Sequence, residues 1–344
     1  MNFSRSKPRF VAIDILNEIL GNKKSFHELR ALGVLKNLKP NEKAFVQRLV
    51  MDTLRNLDRC DRLLEKYLKK DPKLKVKNIL RLGLTELVTG GASHAIVNEA
   101  VNYAALNKTT RPMKGLVNAV LRKLSSYEIE EWNKDASISR LPKWLRQPLI
   151  SAYGKKTVIE IEKIQSFTPP IDITLKDPSK IHDWTKELGG RIIFHESIRL
   201  ESGKQISALP GFKEGDWWVQ DIAATIPIRL LENLSGKKVL DLCAAPGAKT
   251  LQLASLGAAV TAVDISANRL ELLRENLDRC ELTANIIESD AFNITDKFDI
   301  ILLDAPCSAT GTIRRHPDLV HCKDGSNFFE LIELLINYSK LLVV

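Results

Sequence analysis

The C-terminal part of this chain alternates apolar runs with helical patterns, and this alternation constrains its fold more than any other feature. A helical pattern over Ala267–Arg279 separates two of the runs. Alternation of this kind predicts a mostly parallel sheet with helices on both faces. Ligands of such sheets bind at the carboxyl ends of the strands. The predicted strands are Lys238–Leu242, Ala259–Asp264, Ala284–Glu288 and Phe298–Asp304.

The first predicted strand runs into a turn of small residues. Ala244, Ala245 and Gly247 allow a ligand to approach the backbone closely, and Pro246 stiffens the turn. The turn lacks the Gly-x-Gly-x-x-Gly pattern that accompanies a dinucleotide pyrophosphate. Asp264 ends the next strand, where a carboxylate commonly hydrogen-bonds a ribose diol. A nucleoside cofactor without a pyrophosphate fits this pattern best, and S-adenosylmethionine is the predicted cofactor.

Two further positions carry candidate chemistry. Asp290 follows the third strand, where its side chain could meet an adenine edge, although an aspartate there can also cap a helix. The fourth strand ends in Asp304-Ala-Pro-Cys307. A cysteine after proline is usually inert, but cationic neighbours favour the nucleophilic thiolate. Arg314 and Arg315 could provide that charge or hold a substrate phosphate, and the sequence leaves both interpretations open.

The net charge of +9 is distributed unevenly along the chain. Residues 1–135 hold 26 Lys and Arg against 15 Asp and Glu, a net charge of +11. The remaining residues hold 25 against 27, a net charge of −2. Such asymmetry is typical of a segment that binds a polyanion. Charge alone does not separate this interpretation from a solvated, lysine-rich helical surface.

Three domains are predicted from the patterning. Residues 1–135 read as an all-α bundle, because apolar residues recur at i+4 spacing, as in Val11, Ile15 and Ile19. Residues 136–220 are rich in proline and tryptophan and are predicted to form a connecting subdomain. Residues 221–344 hold the predicted parallel sheet.

The cysteines and the hydropathy limit the class of protein. The five cysteines are scattered, odd in number and without metal-ligand spacing, which predicts reduced thiols, no metal and a cytoplasmic protein. The sequence contains neither a secretory h-region nor a run of about 20 apolar residues, so no membrane partner is expected. We expect a monomer.

Methylation of a pyrimidine at carbon 5 would explain a thiol beside such a cofactor. Carbon 5 is a poor nucleophile, but a thiolate that adds to carbon 6 makes the ring enamine-like. Asp304 could then hydrogen-bond N3, where charge builds during the addition. The target base would have to flip out of its stack to reach the site.

The chain resembles the bacterial RNA cytosine-5 methyltransferases, and within them the 16S ribosomal RNA methyltransferases of the RsmB/Fmu (Sun) type. The resemblance rests on Asp241-Leu-Cys-Ala-Ala-Pro-Gly-Ala-Lys-Thr250 and on the motif that extends from Leu303 to Asp318. Toward the N-terminus, Gly115-Leu-Val-Asn-Ala-Val-Leu-Arg122 resembles the NusB-like RNA-binding domain of that family. The implied fold is α/β, a Rossmann-like methyltransferase sheet that depends on S-adenosylmethionine, preceded by an all-α NusB-like helical bundle.

The resemblance implies methyl transfer from S-adenosylmethionine to carbon 5 of a cytosine in small-subunit (16S) ribosomal RNA. Asp264 would hold the ribose, Asp290 the adenine side, and Asp304 the junction of cofactor and target base. Cys307 matches a cysteine implied to help product release. The implied catalytic residues are thus Cys307 and Asp304. The implied cofactor-binding residues are Cys243, Ala244, Ala245, Pro246, Gly247, Ala248, Lys249, Asp264, Asp290 and Asp304.

Two departures from the family pattern bear on activity. Ala248 stands where the family has a second glycine, and its methyl group is tolerated unless the position requires a positive φ. The chain also ends at Val344, before the later Thr-Cys motif that is implied to carry the nucleophile. We expect either a fragment of a longer protein or a Cys307 that performs both steps.

Other functions are kept as alternatives. One is a truncated, catalytically impaired RNA-binding protein that retains S-adenosylmethionine binding. The NusB-like segment disfavours a DNA cytosine methyltransferase, in which the Pro-Cys cysteine is the nucleophile. An amino-group methyltransferase would carry Asn/Asp-Pro-Pro-Tyr at the strand end, where this chain has Asp304-Ala-Pro-Cys307.

Overall fold

The computed structural model describes residues 7–127, 129–134, 138–201 and 203–341. The chain forms two compact units. The first, the helical unit, runs up to Thr168 and also includes Ala309–Ser326. The second, the α/β unit, contains Pro169–Ser308 and the chain from Asn327 onward. Across the described ranges, no helix is both long enough and apolar enough to cross a membrane.

The described residues form fifteen α-helices and eight strands. The helices are α1 (Pro8–Asn22), α2 (Phe26–Ala31), α3 (Pro40–Arg55), α4 (Leu57–Glu65), α5 (Leu74–Val88), α6 (Ser93–Leu106), α7 (Lys114–Leu124), α8 (Ile129–Lys134), α9 (Lys143–Gln165), α10 (Ile181–Leu188), α11 (Ile222–Arg229), α12 (Ala248–Ser255), α13 (Ala267–Arg279), α14 (Leu319–Cys322) and α15 (Phe328–Leu341). The strands are β1 (Ile171–Leu175), β2 (Arg191–Phe194), β3 (Ser197–Leu200), β4 (Trp217–Val219), β5 (Lys238–Leu242), β6 (Ala259–Asp264), β7 (Asn285–Glu288) and β8 (Ile300–Leu303).

Proline residues and side-chain caps set the starts of several helices in the helical unit. Pro8 and Pro40 begin α1 and α3, where a missing N–H costs nothing because the first turn has no internal acceptor. Ser25 and Glu28 form a reciprocal capping box at the start of α2. The predicted i+4 face of α1 is buried, and α5 is buried along nearly its whole length. The prediction of a helical N-terminal region is therefore confirmed.

The segment Ala309–Ser326 packs as part of the helical unit. Ile313 and Val320 share a small apolar cluster with Leu141 and Leu145. Asp318 is buried, and its Oδ2 accepts a 2.8 Å hydrogen bond from the backbone N–H of Phe26. The domain limits at 135 and 220 stay predictions, because packing shows which residues touch and not which segments fold independently.

The α/β unit contains two four-stranded sheets. The first is antiparallel, with order β2-β3-β1-β4. The second is parallel, with order β7-β6-β5-β8. Its central strands β5 and β6 are buried and apolar along most of their length, as expected for a parallel sheet. The predicted α/β fold is confirmed, and the carboxyl ends of β5, β6 and β8 lie side by side in register.

Candidate cofactor and catalytic site

The backbone conformation of the turn after β5 could be predicted from the sequence only in part. Gly247 caps α12 with φ 104°, and a Cβ at this position would lie 2.1 Å from Cδ1 of Leu273. A glycine is therefore required here on two grounds, its backbone angle and the close approach of α13. Ala248 is the first residue of α12, in a helical conformation that has negative φ. Its methyl group is thus compatible with the fold.

Asp264 holds the turn in place from the end of β6. The residue is 3% exposed. Its Oδ2 accepts a 3.1 Å hydrogen bond from the N–H of Ala245, and its Oδ1 accepts a 3.0 Å bond from the N–H of Ser266. Arg269 lies 3.4 Å from the same carboxylate, and its guanidinium also donates to the carbonyl of Ala245. Asp264, which is predicted to bind the ribose, therefore also fixes the shape of the turn that is predicted to bind the cofactor.

Asp241 and Thr250 form a buried pair beneath the turn. Both side chains are 0% exposed, and the Thr250 hydroxyl donates a 2.6 Å hydrogen bond to Oδ2 of Asp241. The other oxygen, Oδ1, has no hydrogen-bond partner among the residues that the structure describes. Burial raises the pKa of Asp241 to about 7, although the bond from Thr250 lowers it. Its place at a strand end was visible in the sequence, but its unsatisfied oxygen was not.

Lys249 and Asp304 meet at the carboxyl edge of the parallel sheet. Nζ of Lys249, in the first turn of α12, lies 2.6 Å from Oδ2 of Asp304, just after β8. The Asp304 side chain is 59% exposed, whereas that of Lys249 is 17% exposed. Cys307 follows three residues later and is exposed. The site thus presents an accessible carboxylate, ion-paired on one side, on the same short segment as an accessible thiol.

Asp290 has a structural role that the sequence had left as an alternative. Its side chain accepts a 3.1 Å hydrogen bond from the N–H of Phe292 and so caps the short 3-10 turn after β7. Phe292 is 41% exposed and stacks on Tyr338, with ring centroids 4.8 Å apart. A contact of Asp290 with an adenine stays a prediction.

Tyr338 joins the site from α15 and was missed by the sequence analysis. It packs in the same apolar cluster as Cys243, the residue that follows β5 with φ 60°. Burial raises the pKa of the Cys243 thiol and raises that of Tyr338 to about 12. Neither group is ionised near neutral pH, so both line the site as neutral polar groups. A tyrosine within an amphipathic helix carries no sequence signal for this contact.

Arg314 and Arg315 belong to the helical unit. The Arg314 guanidinium donates to the carbonyls of Phe167 and Thr168, at 3.2 and 3.4 Å. Its own carbonyl accepts a 3.1 Å bond from Arg55. These contacts give Arg314 a role in holding the helical unit together, and its predicted effect on Cys307 stays a prediction.

A parallel α/β sheet with a small-residue turn and carboxylates at successive strand ends is the architecture of a Rossmann-like domain. Comparison with known families agrees. Residues 228–340 match the model for 16S rRNA methyltransferase RsmB/F, and residues 6–126 match the NusB family.

Curated relatives extend this match over most of the chain. Ribosomal RNA small subunit methyltransferase B of Erwinia tasmaniensis is 35% identical over 275 residues, which are 74% of this chain and 64% of the relative. The protein of the same name from Cronobacter sakazakii is 34% identical over 300 residues, 81% of this chain and 70% of the relative. The chain belongs to the RsmB/F family of 16S rRNA methyltransferases. It spans about two thirds of the length of these relatives.

The fold is also found among solved structures. PH0851 superposes with a TM-score of 0.70 and 18% identity, over 96% of this chain and 81% of that one. At this identity the likeness concerns the fold alone.

Proposed function

We propose that this chain transfers a methyl group from S-adenosylmethionine to carbon 5 of a cytosine in small-subunit ribosomal RNA. The observation that carries the proposal is the arrangement at the carboxyl edge of the parallel sheet. There Asp264 accepts a hydrogen bond from the small-residue turn. Asp304, which pairs with Lys249, lies on the segment that leads to Cys307. Family membership supports the same reaction.

The cofactor turn fits S-adenosylmethionine by its chemistry. Gly247 leaves a cradle that a Cβ would fill, and Asp241 keeps one buried oxygen without a partner among the described residues. A carboxylate has about four acceptor positions, so Asp264 can accept bonds from a ribose diol besides those it already holds. We assign the cofactor to residues Cys243–Lys249, with Asp264 at the ribose and Asp290 on the adenine side. When bound, S-adenosylmethionine supplies an electrophilic methyl group on a sulfonium.

The side chains on the segment after β8 would act on the base. A thiolate that adds to carbon 6 of cytosine makes carbon 5 nucleophilic, and negative charge builds on N3. N3 would take up the proton that the attacking thiol gives up, and Asp304 would accept a hydrogen bond from this N3–H, with Lys249 fixing the direction of its carboxylate. Cys307, exposed three residues later, would either add to carbon 6 as the nucleophile or release the product by taking the proton from carbon 5 after methyl transfer, so that the bond between carbon 6 and the nucleophilic sulfur breaks.

The helical unit would hold the RNA. Five exposed lysines lie between the end of α4 and the first turn of α5, and cations at this density release counterions from phosphates. They are Lys66, Lys69, Lys70, Lys73 and Lys75. The NusB-family match covers this region.

Incubation of the chain with methyl-labelled S-adenosylmethionine and unmodified small-subunit RNA tests the proposal. Label in 5-methylcytidine after digestion is the expected result. Label in another nucleotide would contradict the carbon-5 assignment. No label, with cofactor binding intact by calorimetry, would contradict activity of this chain by itself.

A substitution of the thiol distinguishes its two possible roles. Cys307→Ser is expected to abolish turnover in both cases. If a different thiol of the chain is the nucleophile and Cys307 only releases the product, the variant accumulates a covalent RNA–protein complex that survives denaturation. If Cys307 is the nucleophile, no complex forms. Unchanged turnover would remove Cys307 from the mechanism.

A further inference from the structure

The helical unit contains a cavity of about 560 Å³, lined by both polar and apolar groups, that the proposed reaction does not use. It lies where the end of α1, the start of α5 and the segment after α6 meet. Its volume falls within the range of about 300–1,000 Å³ that is typical of small-molecule sites. Amide, hydroxyl and carboxylate groups line it, among them those of Asp14, Asn17, Asn22, Tyr103 and Asn107.

A chain of hydrogen bonds fixes the orientation of the groups on one wall of the cavity. The Tyr103 hydroxyl donates to the carboxylate of Asp14 and accepts a 3.4 Å bond from Nδ2 of Asn17. Oδ1 of Asn17 accepts a 2.9 Å bond from Asn78, which is 0% exposed and accepts a 2.8 Å bond from Arg81. A partly buried network in which each member is paired holds its side chains in one arrangement. The cavity is therefore preorganised for a ligand with donors and acceptors of its own.

The mouth of the cavity is cationic and partly apolar. Lys73 and Lys75 line it and are exposed, and they continue the run of exposed lysines that begins at Lys66. Between them Leu74 is 38% exposed. A ligand that suits this arrangement has a flat, hydrogen-bonding body and an anionic group beside it. A nucleotide has this composition.

We propose that this cavity receives one unpaired nucleotide of the RNA, with its base inside and its phosphates on Lys73 and Lys75. The inference rests on the proposed function, which makes RNA the substrate. Bases within a duplex are stacked and paired, whereas proteins read single-stranded RNA through bases that are splayed out. The helical unit would therefore prefer unpaired RNA to a duplex of equal charge.

Gly21 allows the cavity to be filled without a change of charge. It lines the cavity one residue before the end of α1, and an added Cβ would lie 3.4 Å from Cδ2 of Leu74, an ordinary van der Waals distance. Gly21→Leu places a larger side chain there and replaces a poor helix former with a good one. Gly115→Leu is the matched control, because Gly115 lies in α7, is exposed, and has nothing within 4 Å of an added Cβ.

Fluorescence anisotropy over a range of salt concentrations would measure binding of a short unpaired oligoribonucleotide and of a blunt RNA duplex to the full chain. We expect Gly21→Leu to bind the unpaired RNA about tenfold more weakly, with an unchanged salt dependence because no charge is lost. Gly115→Leu should bind like the wild type, and duplex binding should be the same for all three proteins. If a folded Gly21→Leu variant binds unpaired RNA with wild-type affinity, the assignment of the cavity as a nucleotide site is wrong, and the proposed function is unaffected.

Two double variants keep the test decisive if Gly21→Leu does not fold. Lys73→Gln with Lys75→Gln removes two charges at the mouth, and Lys66→Gln with Lys69→Gln removes two outside it. Both should lower the salt dependence equally, but only the first should abolish the preference for unpaired RNA. An equal loss of the preference for unpaired RNA in both double variants would contradict the assignment of the cavity as a nucleotide site. Absence of salt-dependent RNA binding in the wild type would instead contradict the proposed function.

Discussion

Replacing Asp241 with asparagine removes the titration of one buried carboxyl group at the end of β5. The group is 0% exposed and is raised in pKa to about 7 from an ordinary value of 3.8, chiefly by burial. Asparagine has nearly the same shape and still accepts a bond from Thr250, but it carries no titratable proton. Any constant cost of the substitution is the same at every pH. The pH-dependent part of the difference in stability therefore belongs to the carboxyl group.

The sign and the size of the effect follow from proton linkage. The folded state holds the Asp241 proton more tightly than the unfolded state does. The stabilising contribution is therefore complete below pH 3.8 and is lost as the pH rises through about 7. At about 1.4 kcal/mol per pKa unit, the loss across this window is about 4 kcal/mol at most.

Urea unfolding at several pH values would measure this loss directly. The free energy of unfolding of the wild type minus that of Asp241→Asn should fall by up to about 4 kcal/mol between pH 4 and 7, then level off. Asp278→Asn, an exposed change on α13, is the control and should stay within about 0.5 kcal/mol of the wild type. A difference that does not vary with pH would refute the argument that Asp241 is folded in its protonated form.

Three further outcomes follow from the turn and the ion pair. Gly247→Ala should cost about 1–3 kcal/mol of unfolding free energy, because its Cβ would meet Leu273 at 2.1 Å and its φ is positive; an unchanged melting temperature would contradict this. Asp264→Ala should weaken S-adenosylmethionine binding by about tenfold or more through lost charged hydrogen bonds, and equal affinity in calorimetry would remove the ribose assignment. Lys249→Met should change the free energy of unfolding by less than about 1 kcal/mol, since Asp304 is 59% exposed. It should lower the rate of methyl transfer by a factor at least as large as the one to which this free energy corresponds. A normal rate would show that Asp304 needs no orienting partner.

The parallel sheet could be predicted strand by strand where burial is complete. Lys238–Leu242 and Ala259–Asp264 form β5 and β6 with the predicted bounds, because central strands read as apolar runs closed by turns. The other two strands are shorter than predicted. In the described sheet β7 and β8 each pair with a single neighbour, and the paired residues are Asn285–Glu288 and Ile300–Leu303. Ala284, Phe298, Asp299 and Asp304 therefore lie outside the strands.

The candidate site could be predicted only where it lies at strand ends. The position of Asp264 beside the turn follows from strand order, since neighbouring parallel strands bring their carboxyl ends together. The contact of Tyr338 with Cys243 depends on how α15 packs, which apolar periodicity does not determine. The packing of Ile313 and Val320 in the helical unit could not be predicted for the same reason. Two apolar residues in a polar stretch do not indicate which core they join.

The helical unit is discontinuous in sequence, and this has a consequence for biosynthesis. Its N-terminal helices leave the ribosome first, yet the hydrogen bond between Phe26 and Asp318 joins residues 292 positions apart. At about 5–20 residues per second, the early helices wait many seconds for the segment that completes them. During that wait the backbone N–H of Phe26, and the apolar surface that Ile313 and Val320 later cover, are without their native partners. The nascent chain is thus most exposed to misfolding and to chaperone capture while the α/β unit is still being made.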